Sequence, residues 1–253
     1  MASKTNLPLR KLDFILIGAQ KSGTTALHSI LHRHRGITMG DQQEMHFFDN
    51  EEIFARAVDY DLLHSHFRGE ESVAIAGECT PSYLYWEPAA QRIQDYNSQI
   101  KFLVLLRNPI DRAFAHWNMQ RFKGRERLDF LEAVREEAVR IASPLSLESR
   151  RFSYIDRGFY TRQLQRYFGR FPREQFNITK FENFRDQQLQ TVNAIFAFLG
   201  SEPVKSVRWK DRNIVPYERD MTSTERQELW QIFAGEIEEL ERLLDWDCSD
   251  WKL

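Results

Sequence analysis

Cysteine is scarce in this chain. Cys79 and Cys248 are the only two, and they stand far apart, matching neither a disulfide framework nor a metal-ligand spacing. Two reduced thiols and no metal site are therefore expected. Long hydrophobic runs are missing as well, since none approaches the roughly 20 residues that a membrane-spanning helix needs. The opening stretch, Met1 to Lys11, is polar and basic and lacks the apolar core of a signal peptide. A cytoplasmic protein with no membrane partner is the expectation. Neither sign of charge dominates: 35 basic and 37 acidic residues give a formal charge of −2, which offers no footprint for nucleic acid. Internal repeats, low-complexity tracts and Gly/Ser-rich linkers are absent too, so residues 1–253 read as a single domain.

What is present is the composition of a globular protein, 42% hydrophobic and 28% charged, with 19 phenylalanines that predict an aromatic-rich core. Short apolar runs at 13–17, 73–76 and 102–106, with a weaker one at 175–179, have the length and continuity of strands buried on both faces. Helical spacing separates them, at Leu27, Ile30 and Leu31, then from Phe130 to Ile141, then from Tyr160 to Phe168. Thr222 and Glu225 have capping-box spacing ahead of Leu229, Phe233, Ile237, Leu240 and Leu244, which predicts a closing helix. Strand and helix thus alternate, which predicts an α/β fold: three layers, with a central, mostly parallel sheet between helices.

The most informative segment is Gly18-Ala19-Gln20-Lys21-Ser22-Gly23-Thr24-Thr25, a small-residue loop between an apolar strand and an amphipathic helix. Unpaired backbone amides and the helix dipole converge at such a junction and favour an anion. Against the pattern G-x-x-x-x-G-K-[ST], both glycines and Thr25 fit, but Thr24 takes the lysine position and Lys21 lies inside the loop. A nucleotide kinase or hydrolase and a non-catalytic nucleotide-binding protein are alternatives that such a P-loop-like segment allows.

Gln-Lys-Ser-Gly-Thr-Thr-Ala-Leu at 20–27 resembles the 5′-phosphosulfate loop of sulfotransferases that use 3′-phosphoadenosine 5′-phosphosulfate (PAPS), above all the heparan-sulfate type. Four further segments resemble that family in its order. Glu44-Met45-His46-Phe47-Phe48-Asp49 is similar to E-x-H-F-F-D, and Glu78-Cys79-Thr80-Pro81-Ser82-Tyr83 to E-K-[ST]-P-x-Y. Arg107-Asn108-Pro109 resembles the start of the 3′-phosphate motif, and Arg157-Gly158-Phe159-Tyr160 the later R-G-x-Y element.

The resemblance implies a PAPS-dependent transfer of a sulfuryl group to an acceptor hydroxyl, less readily an amine, leaving 3′-phosphoadenosine 5′-phosphate (PAP). It places Gln20, Lys21, Ser22, Gly23, Thr24 and Thr25 on the 5′-phosphate, Arg107 on the 3′-phosphate, and Tyr160 and Arg212 near the cofactor. Lys21 would stabilise charge developing on the leaving oxygen. Glu44 would be the general base, shielded by Phe47 and Phe48, with His46 sharing or assisting that role on the same side of an extended segment. No metal is required. Two positions depart from the family. Ala115 stands where a serine usually contacts the 3′-phosphate, a loss of about 0.5–1.5 kcal/mol unless His116 or a residue of 210–219 substitutes. Cys79 stands where many members have a lysine, and a neutral thiol supplies no positive charge. A small organic acceptor is expected, with a glycan as the alternative; Tyr83, Tyr85, Trp86 and Trp117 are either acceptor-pocket or core aromatics.

Overall fold

The computed structural model describes residues 11–67, 75–207 and 215–253. Five strands, β1 (Phe14–Gly18), β2 (Ile37–Met39), β3 (Ile75–Cys79), β4 (Lys101–Leu106) and β5 (Phe176–Lys180), form one sheet in the order β2-β3-β1-β4-β5. Every pairing is parallel. Side chains alternate across a strand, so Ile15 and Ile17 enter one core with Phe102 and Val104, while Phe14 and Leu16 enter the other with Leu103 and Leu105. Two buried faces explain why β1 and β4 are continuous apolar runs in sequence.

The helices are α1 (Thr24–Leu31), α2 (Glu51–Phe54), α3 (Asp61–His64), α4 (Ala89–Tyr96), α5 (Pro109–Phe122) and α6 (Phe130–Arg140), followed by α7 (Leu147–Phe152), α8 (Tyr160–Phe168), α9 (Phe181–Asp186), α10 (Gln188–Leu199) and α11 (Ser223–Leu244). Leu27, Ile30 and Leu31 of α1 pack with Val192, Ile195 and Phe196 of α10 over one face of the sheet. Residues of α4, α5, α8 and α11 cover the other. The capping box of α11 is formed: the Glu225 amide donates to Thr222 Oγ1 at 3.2 Å, and Glu225 Oε2 accepts from the Thr222 amide at 2.8 Å.

Two elements sit differently from their sequence expectation. Strand β3 takes in Ile75 and Ala76 of the expected 73–76 run, whose first two residues lie outside the described ones, and Gly77, the buried carboxylate Glu78 and Cys79 lengthen it at its far end. Strand β2 is three residues long, too short for any periodicity to reveal.

β1 is central, with β3 on one side and β4 on the other, so the chain reverses its direction of travel across the sheet at β1. In open parallel sheets the crevice beyond the carboxyl ends of the strands at that reversal is where ligands bind.

Candidate active site

The loop after β1 turns tightly: the Ala19 amide donates to the Leu105 carbonyl at 2.7 Å and the Ser22 amide to the Ala19 carbonyl at 3.2 Å. Lys21 (φ 71°) and Gly23 (φ 87°) are left-handed. A side chain at Gly23 would also bring a Cβ to 2.9 Å from the Phe181 ring, so both conformation and space call for glycine there. Gly23 is the N-cap of α1 and supplies no side-chain acceptor, which leaves the first-turn amides of Thr24 and Thr25 without an intrahelical partner. Gln20 Oε1 and Ser22 Oγ are buried with no hydrogen-bond partner among the described residues. Backbone donors, a helix dipole and these polar atoms make a seat for a phosphate-sized anion.

A cavity of about 630 Å³ opens above this loop. Each strand delivers to it from its carboxyl end: Lys21 after β1, Glu44 after β2, Pro81 after β3, Arg107 after β4 and Phe181 after β5. Burial, then the proximity of Arg107 and Lys123, pulls the Lys21 ammonium down to about 8, because three cations converge on a space with Glu44 as the facing carboxylate. Arg107 donates to the Lys21 carbonyl at 3.3 Å, and its guanidinium lies 5.3 Å from the centre of the Phe181 ring.

Tyr160 is not on the cavity wall. It is fully buried, and its hydroxyl donates to the Arg107 carbonyl at 2.9 Å, so it fixes the backbone that aims Arg107. Arg212 and Lys210 lie outside the described residues. Ala115 does line the cavity, with no hydroxyl to offer. His116 cannot stand in, because it is completely buried and burial holds its ring well below the ordinary range. Arg219 is committed to Glu225 in a two-pronged pair at 2.6 and 2.8 Å.

The Glu44 segment is not extended. Glu44 (φ 61°) and His46 (φ 52°) are both left-handed, an uncommon conformation for such residues, yet their side chains still meet, His46 Nε2 lying 3.5 Å from Glu44 Oε2. Phe47 and Phe48 do not shield Glu44. They turn into the core, Phe47 against Phe54 and Tyr60 and Phe48 against Tyr83 and Tyr96, and the Glu44 side chain keeps 44% of its surface exposed. His46 Nδ1 lies 3.0 Å from the buried carboxylate of Asp49. Hydrogen bonds to Asp49 and then Glu44 raise the imidazole to about 9, while His46, among other donors, holds Asp49 down at about 2 against the cost of burial. A midpoint raised that far keeps the imidazole protonated at neutral pH, so of its two expected roles, sharing the work of the base or assisting Glu44, this geometry favours the second. Cys79 is buried, and burial pushes its thiol well up; its carbonyl accepts from the Glu44 amide at 3.0 Å.

Sequence reasoning missed Asn118, Met119, Phe122 and Lys123, which line the cavity with Ala115. The one signal for their helix is its start, Asn108-Pro109, within the 3′-phosphate motif. Tyr83, Trp86 and Trp117 are core residues, and Trp86, together with Tyr85, also borders a separate cavity of about 530 Å³ beside Ser149 of α7. No cluster of three or more His, Cys, Asp or Glu able to hold a metal exists among the described residues, nor a helix long and apolar enough to cross a membrane.

Comparison with known proteins fits this geometry. The sulfotransferase domain family matches residues 11–211, a span that holds the loop, Glu44 and Arg107. Mouse heparan sulfate glucosamine 3-O-sulfotransferase 5 is 30% identical over 189 residues, which cover 75% of this chain and 53% of that protein. Human bifunctional heparan sulfate N-deacetylase/N-sulfotransferase 2 is 26% identical over 198 residues, 75% of this chain and 22% of that protein. The chain thus spans about half, or less, of these curated relatives. A sulfotransferase from Alicyclobacillus acidocaldarius superposes with a TM-score of 0.80 at 31% identity, over 96% of this chain and 99% of that one. Mouse SULT7A1, solved with PAP, shares the fold at a TM-score of 0.61 and 15% identity, over 93% and 89% of the two chains. The loop and most of the carboxyl-end cavity fall within the matched stretch of sequence, and the chain belongs to the sulfotransferase domain family.

Proposed function

We propose that this sulfotransferase takes its sulfuryl group from PAPS and transfers it to a hydroxyl of a small organic acceptor. The observation that carries this reading is the cavity in which Lys21, the α1 N-terminus and Arg107 face Glu44. PAPS fits these residues chemically, because a depressed lysine, a second cation and uncapped helix amides together call for an anion with more than one charged group. When bound, PAPS supplies the sulfuryl group and a phosphate leaving group. Lys21 and the amides of Gly23 to Thr25 hold the 5′-phosphate, the Ser22 amide being taken by the Ala19 carbonyl, and Arg107 holds the 3′-phosphate. Glu44 accepts the proton of the acceptor hydroxyl. Protonated His46, hydrogen-bonded to Asp49, orients the Glu44 carboxylate.

PAP is expected to raise Tm more than ATP or AMP does, since it alone presents both the 5′- and 3′-phosphates. The effect has a pH limit with a definite sign. Protonated Lys21 binds the anion, so PAP affinity is flat below about 8 and falls as pH rises beyond that value. The unliganded protein behaves oppositely: the unfolded chain holds the lysine proton more tightly, so Lys21 costs stability below about 8 and that cost fades towards 10.5. Thermal melts across this pH range check both. Equal shifts from ATP and PAP would sink the donor assignment.

The relatives named for heparan sulfate favour a second reading, a glycan acceptor. Labelled PAPS offered with small alcohols and phenols alongside heparan-type oligosaccharides separates the two. Transfer to the small acceptors is expected, and transfer to the oligosaccharides alone would replace the small-acceptor reading with the glycan one.

A further inference from the structure

We propose that Arg150 of α7 is a positioning residue for the transfer site, holding Asp49 and through it the left-handed segment that carries His46 and Glu44. The inference rests on Glu44 being the base. Residues 40–50 contain no regular element, and Glu44 and His46 adopt backbone conformations that persist only when the surroundings enforce them.

The enforcement comes from two directions. One is β3 and the turn that follows it: the Glu44 amide donates to the Cys79 carbonyl at 3.0 Å, and the amides of Phe47 and Phe48 donate to the Tyr83 hydroxyl at 2.9 and 3.2 Å. Ser82 Oγ donates to the Asp49 carboxylate from the same turn. The opposite direction belongs to Arg150, a hundred residues on in sequence. Its guanidinium forks, with one nitrogen 2.5 Å from Asp49 Oδ2 and the other donating to the Asp49 carbonyl. The Asp49 side chain is wholly buried, and a buried carboxylate keeps its charge only while such donors surround it.

Arg150 is itself prepared for this task. It stacks on the Trp86 ring with its centre 3.8 Å from the ring centroid, and the Trp86 indole is fixed in turn by Glu51 Oε1 at 2.7 Å. Its carbonyl accepts from Arg157 at 3.2 Å, and Ser146 caps the helix through the Ser149 amide. A planar fork held flat on an aromatic face can reach a carboxylate and a carbonyl at once, which a lysine cannot. The six-residue helix α7 thereby gains a role that its exposed, charged sequence does not suggest.

The test uses two readouts on Arg150→Ala and Arg150→Lys. Turnover of labelled PAPS with a small alcohol is expected to fall at least about thirtyfold in both, while PAP affinity stays within about twofold because Arg150 lies off the donor cavity. Added guanidinium is expected to restore part of the alanine variant's rate but none of the lysine variant's. The second readout needs no catalysis: the His46 ring is titrated by NMR in the unliganded protein. The charges facing His46 are Glu44 and Asp49 on its own segment and Glu78 on β3, with Arg150 of α7 paired to Asp49 behind it. Removing a mere positive charge moves the midpoint upward from about 9, whereas losing the positioning of Asp49 moves it down towards 6.5. A downward shift is expected. An upward shift, or an Arg150→Lys enzyme at full rate, overturns the proposal; a wild-type protein that turns over no PAPS refutes the function proposed above and leaves the titration to decide on Arg150.

Discussion

Lys21→Ala is expected to lower turnover by at least about a hundredfold, equivalent to about 2.7 kcal/mol of transition-state stabilisation. That is the size associated with one well-placed donor at a developing anion in a site shielded from water. Lys21 meets the conditions. It sits in the loop proposed to receive the phosphate, is mostly buried, and faces the same cavity as Arg107 and Glu44. The substitution also carries a stability signature. In the unliganded protein burial and two neighbouring cations work against the Lys21 charge, so its removal relieves repulsion and desolvation. The unliganded alanine variant should therefore melt no lower than the wild type below pH 8, while the rise in Tm on adding PAP shrinks. Opposite effects on the free and bound protein are what a residue strained for function produces. A variant that melts lower but turns over normally would make Lys21 a structural residue.

The parts of this site that the sequence exposed are those written in a local code. Strand β1 reads as buried because both faces of Phe14–Gly18 are covered, and the loop reads as an anion seat because its small residues join that strand to an amphipathic helix. The closing helix was legible from the Thr222–Glu225 capping box and the apolar face that runs from Leu229 to Leu244. Helix α5 was not. It is buried nearly all round, with Arg112, His116, Asn118 and Gln120 inside along with Ala113 and Trp117, so no apolar stripe marks it. Only Asn108 as N-cap and Pro109 at the first turn announce it, with Asn108 Oδ1 accepting from the Ile110 amide at 3.0 Å. The cavity residues carried by α5 were lost with it. Glu44 and His46 show a different limit. Their residue types pointed to acid–base chemistry, but whether His46 holds a proton depends on Asp49, whose burial and pairing come from Ser82 and Arg150 at a distance. Long-range contacts decided the protonation state, and no spacing along the chain encodes them.

Glu44→Gln is expected to reduce turnover by at least about a hundredfold while leaving PAP affinity nearly unchanged. Glutamine keeps the shape of the side chain and can still accept from His46, so the segment should hold its conformation, but it cannot take the acceptor's proton. In the proposed function PAP is held by Lys21, Arg107 and the helix amides, none of which the change removes. His46 offers no substitute near neutrality, because its raised midpoint keeps both ring nitrogens protonated, one towards Asp49 and the other towards residue 44. The residual rate of the variant therefore carries information. Losing one of its two acidic neighbours lowers the His46 midpoint below about 9, and Asp49, the larger cause, keeps it above 6.5. The imidazole thus becomes a base only as the pH rises through that interval. The variant's slow turnover should climb over this range while the wild-type rate does not, a contrast that pH–rate profiles of the two enzymes measure directly. A glutamine variant with wild-type turnover at pH 7 would remove Glu44 from the chemistry. A flat residual profile would show instead that His46 never reaches the acceptor, and that its work is confined to the charge it places beside Glu44.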